Sequence, residues 1–131
     1  MEELREQLCL LDRSLNWLLV IIAGVLLSFW ATARQRDALC LTLAGEDSCA
    51  EQLGNVLPIR RLVAILVMLA LTFFFLLSLC VEAQAECQGD SAAVRSARLN
   101  RWAALFVLAA AVIRFIDINE LCRQAWEDSC E

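Results

Sequence analysis

Residues 14–33 read SLNWLLVIIAGVLLSFWATA and residues 62–81 read LVAILVMLALTFFFLLSLCV, two runs of 20 residues without one charged side chain. A helix rising ~1.5 Å per residue crosses a hydrocarbon core ~30 Å thick in ~20 residues. Amphipathic helices of soluble domains interrupt such runs at the helical period; helices bathed in lipid do not. A third apolar stretch opens at Trp102 and is broken by Arg114. These runs predict an all-α polytopic membrane protein. Three long transmembrane helices form a bundle, with spans near 14–33, 62–81 and 102–121 and a short helix in the first connection. Residues 1–131 form a single domain in this reading.

Composition narrows the chemistry. The chain is 60% hydrophobic with mean hydropathy +0.62, and it has no His, Lys or Tyr. Without His it lacks the commonest metal ligand and general base. The net charge of −5 argues against a nucleic-acid partner. A signal peptide cleaved after Ala31-Thr32-Ala33 is disfavoured, because the arm before the first run carries Glu2, Glu3, Glu6 and Asp12 against Arg5 and Arg13.

Punctuation residues divide the chain. Leu4, Leu8, Leu11, Leu15 and Leu18 alternate steps of four and three, so a helix starts near Glu2 and enters the first span unbroken. Gly45 closes it. Ser48 and Glu51 fit a capping box opening a short helix that Gly54 ends. Pro58 suits the first turn of the second long helix, Gly89 stops it, and Asp90 or Ser91 caps the third. The second and third long helices therefore form an antiparallel hairpin. Trp17 and Trp102 are expected at one membrane face, Trp30 and Trp126 at or beyond the other.

Arginines do not orient the chain. Five (Arg5, Arg13, Arg95, Arg98, Arg101) fall on the amino-terminal side and five (Arg34, Arg36, Arg60, Arg61, Arg123) on the other. Cysteines offer a second argument. The first connection and tail hold an even set, Cys40, Cys49, Cys122 and Cys130, as an oxidising compartment would favour. The order-preserving pairs are Cys40 with Cys122 and Cys49 with Cys130, stapling a cap outside the membrane. Four unpaired thiols are the alternative. The expected location is the plasma (inner) membrane, amino terminus inside and carboxyl terminus outside.

Arg114 lies ~18 Å into the core counted from Trp102, a costly depth for a charge. Asp117 and Glu120 continue its helix side. The three residues read either as an ion or substrate pathway or as an intramembrane ion pair with a snorkelling arginine. Gly24, Ser28 and Thr32 form a slim face on the first span, and Ala103, Ala110 and their alanine neighbours one on the third. Small residues let helices approach closely in lipid, so either span one packs on span three within one chain or these faces form an oligomer interface. The bulky second span suits lipid contact or knobs into a neighbour. The amino-terminal leucines either cover Ala85, Val94 and Leu99 on the hairpin or form a seam between copies.

Catalytic motifs, metal-ligand spacings and CxxC pairs are missing, so neither cofactor nor metal is expected. The leading expectation is a non-enzymatic membrane component acting as a homo-oligomer that encloses a pore or ion path, its partners being the bilayer and copies of itself. An accessory subunit docking on another membrane protein is the alternative, and a thiol redox protein ranks third.

Overall fold

The computed structural model describes residues 1–130, apart from the side chains of Asp47, Ala50, Gln52 and Leu53. The fold is all-helical, with α1 (Glu2–Leu43), α2 (Asp47–Gly54), α3 (Leu57–Gln88) and α4 (Ser91–Ser129). Two of the three long helices, α1 and α3, are long and apolar enough to cross a membrane. Their apolar windows are only 11% and 17% buried, unlike the core helix of a soluble globule.

The breaks fall where backbone chemistry dictates. Gly45 and Gly89 have φ of +83° and +73°, left-handed values that a Cβ would strain, and they end α1 and α3. Pro58 occupies the first turn of α3. The Asp90 carboxylate accepts from the Ala92 amide at 3.0 Å and starts α4. The expected capping box at Ser48 is not used: α2 begins at Asp47 with Glu46 as its N-cap, two residues earlier than a Ser48 cap would place it.

The long helices stand in a row rather than a closed bundle. α3 lies between α1 and α4, α2 rests on α1, and α1 does not contact α4 among the described residues. This corrects the expected packing of span one on span three. The reason is the small-residue face of α1, Gly24, Ala31 and Ala38, seven residues apart and all buried: Gly24 meets α3, and Ala38 lies against Gly54 of α2. A Cβ on Gly24 would sit 3.2 Å from Val67 Cγ2, so the missing side chain admits α3. Trp17 stacks on Phe73 with ring centroids 5.6 Å apart, and Arg60 Nη2 donates to Gln35 Oε1 at 2.6 Å. Trp17 is thus a packing residue, whereas Trp30, Trp102 and Trp126 are exposed. Ser28 and Thr32 are exposed beside the close-packed face, not within it, and Ala103 and Ala110 are exposed on α4.

Across the hairpin, the buried Glu82 accepts from Arg101 Nη1 at 2.8 Å and from Arg98 Nε at 3.5 Å. This clamp fixes the register of α3 against α4. The open row leaves 9984 Å² accessible, against ~6,900 Å² for a compact globule of this mass. Three helices in a row cannot cover their own apolar surface.

Glu82→Ala leaves two guanidiniums facing a joint built around the lost carboxylate. It should destabilise the chain by ~1.5–3 kcal/mol, whereas Glu86→Ala, at an exposed position, should change stability by less than ~0.5 kcal/mol. Denaturant unfolding in detergent, followed by helicity, measures both.

Candidate functional site: a lateral groove and an exposed seam

Because α3 separates α1 from α4, the two outer helices flank a groove of about 410 Å³. Gly24, Val25, Ser28 and Thr32 form the α1 wall. Arg60, Val63, Ala64 and Val67 lie along the α3 floor, and Ala111, Arg114, Asp117 and Leu121 along the α4 wall. The groove thus gathers residues that the sequence singled out separately: the Gly24, Ser28 and Thr32 stripe with Arg114 and Asp117. Glu120 lies outside it and pairs with Arg123. The expected Arg114–Asp117 ion pair is not made; both side chains are exposed along the groove.

The Glu82 clamp sets the depth of these charges. With Glu82 opposite Arg98 and Arg101, Arg114 stands level with Val67. That is five residues beyond Leu62, or ~8 Å at helical rise. Arg60 sits nearer the α2 end, held by Gln35. Gly24, Val67 and Ala111 close the far end with apolar walls. Two guanidiniums against one carboxylate leave the groove one positive charge in excess. In hydrocarbon, an arginine or aspartate at mid-depth costs ~2.5–3.5 kcal/mol unless it finds water, a headgroup or a partner. Sequence reading assigned Arg60 only to the first connection. Its place in the groove depends on the antiparallel register, which no local signal carries.

The cysteines do not form the expected cap. All seven are free thiols, and neither Cys40 with Cys122 nor Cys49 with Cys130 is paired. Cys40 belongs to α1 and Cys122 to α4, the two helices that α3 keeps apart. Cys49 lies on α2, which packs on α1 rather than α4. The pairing argument for orientation therefore finds no support in the fold.

A second feature lies on α1. Residues 1–13 are all exposed, so the amino-terminal leucines cover nothing on the hairpin. Leu4, Leu8, Leu11, Leu15, Leu18, Ile22, Val25 and Phe29 continue one heptad rhythm through the apolar run. Each is between 45% and 73% exposed. This seam lies on the side of α1 turned away from Gly24, Ala31 and Ala38. Its flanking positions hold Arg5, Gln7, Asp12 and Ser14, while Glu2, Glu3 and Glu6 fall outside them.

Comparison with family models, curated proteins and solved structures finds no match to this chain.

A double-mutant cycle tests the groove electrostatics. Arg114→Ala with Asp117→Ala should show coupling below ~0.5 kcal/mol, as for unlinked sites, whereas Glu82→Ala with Arg101→Ala should exceed ~1 kcal/mol. Detergent unfolding of the single and double variants provides both values.

Proposed function

We propose that this chain is a non-enzymatic, three-span integral membrane protein that works as a homo-oligomer joined along α1. The exposed heptad seam from Leu4 to Phe29 carries the reading. Lipid accounts for the apolar residues inside the bilayer. It does not account for Leu4, Leu8 and Leu11, which precede the apolar run on a charged arm. Copies sharing one membrane orientation bring their α1 helices together in parallel, leucine against leucine. No row of like charges faces itself across that seam: Gln7 of one copy meets Asp12 of the next, and the acidic cluster points outward.

Residues 102–113 of α4 carry no charge and continue the apolar character of α1 and α3, which supports a third span. The exposed Ala103 and Ala110 favour a second reading, an accessory subunit whose α4 receives a different membrane helix. A pore is the more demanding form of the main reading. Arg114 and Asp117 occupy only one half of the bilayer thickness, and one chain supplies no polar line across the other half.

Cysteine crosslinking in a background with the seven native cysteines changed to Ser tests the joint. Leu8→Cys, Leu11→Cys and Leu15→Cys should each trap dimers, whereas Glu6→Cys and Arg13→Cys should not. Leu8→Lys should reduce the light-scattering mass in mild detergent to that of one chain. A monomeric parent with no heptad pattern of crosslinks overturns the homo-oligomer. Liposome ion flux that is absent, or unchanged by Arg114→Ala, removes the pore.

A further inference from the structure

The groove between α1 and α4 shares Val25 with the α1 joint, but its α3 floor and α4 wall remain unused by that joint. We propose that it binds an anionic phospholipid, its phosphodiester held between Arg60 and Arg114 and an acyl chain lying along Gly24, Val67 and Ala111. The assignment rests on the membrane-spanning reading above.

Three observations select this occupant. The first is height. On α4 the groove runs from Ala111 to Leu121, ten residues or ~15 Å at helical rise. That is half of a ~30 Å core and therefore one leaflet. The second is polarity along the groove. Apart from Arg114, rooted level with Val67, its inner end is apolar, while Arg60 stands at the α2 end with its guanidinium already fixed by Gln35. An amphiphile with a chain inward and a headgroup outward matches that gradient. The third is charge. Arg60 and Arg114 against Asp117 leave one uncompensated positive charge, and a phosphodiester carries one negative charge. Arginine presents a planar fork of donors suited to phosphate oxygens. A volume of about 410 Å³ lies within the range of small-molecule sites. A zwitterionic headgroup brings its own cation and leaves the imbalance in place.

The full chain in mild detergent is incubated with phosphatidylglycerol, with phosphatidylcholine of the same acyl chains, or with glycerol 3-phosphate alone. Retained molecules are counted after gel filtration. Phosphatidylglycerol should be retained at least tenfold over phosphatidylcholine, and glycerol 3-phosphate should not be retained. Arg114→Ala should cut phosphatidylglycerol retention at least fivefold, and Arg114→Lys should keep at least half of it. Ser28→Leu fills the α1 wall without touching a charge and should also lower retention. Helicity verifies that each variant is folded, and the Lys variant guards against a merely structural loss.

Equal retention of the two lipids overturns the assignment, as does retention indifferent to Arg114→Ala. Tight retention of glycerol 3-phosphate overturns it in favour of a soluble anion. A crosslink from Ala111→Cys to another copy overturns it by placing a helix in the groove. Flotation with phosphatidylcholine liposomes separates the two levels of failure. A chain that floats without lipid preference loses only the groove assignment, and a chain that does not float loses the membrane reading as well.

Discussion

The buried Glu82 carboxylate, held between Arg101 and Arg98, sets the register of α3 on α4. Turning α4 by half a turn about its own axis would carry both arginines away from the carboxylate and leave a nearly buried charge alone, several kcal/mol worse. The hairpin turn at Gly89 and Asp90 brings the helices back together but does not by itself fix their rotation. The clamp does, and its effect extends along both helices. It stands Arg114 level with Val67 and aligns Asp117 and Leu121 with the start of α3. The groove's chemistry is therefore decided at the opposite end of the hairpin.

α1 contributes through two faces of one helix. Gly24, Ala31 and Ala38 repeat every seven residues: Gly24 admits α3, close enough for Trp17 to stack on Phe73 and for Arg60 to reach Gln35, and Ala38 admits Gly54 of α2. The heptad of large apolar residues from Leu4 to Phe29 points away from that contact. A helix with an apolar stripe on each of two faces suits a place between two neighbours. The fold supplies one neighbour, α3, and a second copy supplies the other in the proposed assembly.

Much of this architecture is written locally. The charge-free runs, the left-handed glycines at 45 and 89, Pro58 and the Asp90 cap mark helix ends to within a residue or two, because each acts on its own backbone. The order of the helices is not local. Small residues at Gly24, Ser28 and Thr32 mark one slim face, yet the buried face of α1 runs through Gly24, Ala31 and Ala38. Both sets share Gly24 and differ by a fraction of a turn. Four-residue and seven-residue spacings both read as slim, and only the partner's side chains choose between them. The cysteine pairing failed for the same reason: it assumed α1 beside α4. Arg114 and Asp117 were legible as anomalies because a charge in an apolar run stands out in one dimension. Arg60 needed a helix two elements away to become part of the same site.

The groove's openness follows from the charges it contains. Closing α1 onto α4 would bury more apolar surface, but it would also enclose Arg114 and Asp117 together with Arg60. Desolvating each ion costs several kcal/mol even after the surroundings relax. Their mutual attraction would offset this only with close pairing, and Arg114 and Asp117 are not paired. Ser28 and Thr32 offer hydroxyls on the α1 wall, and Thr32 Oγ1 already donates to the Ser28 carbonyl at 2.9 Å. Closing α1 onto α4 would therefore require neutralising an arginine with groups that the α1 wall does not have. The row is the arrangement in which α3 receives both small-residue contact and clamp, while the charges keep access to whatever polar group the surroundings supply. The residues that interrupt the third apolar run are thus the ones that keep the three helices from closing on themselves.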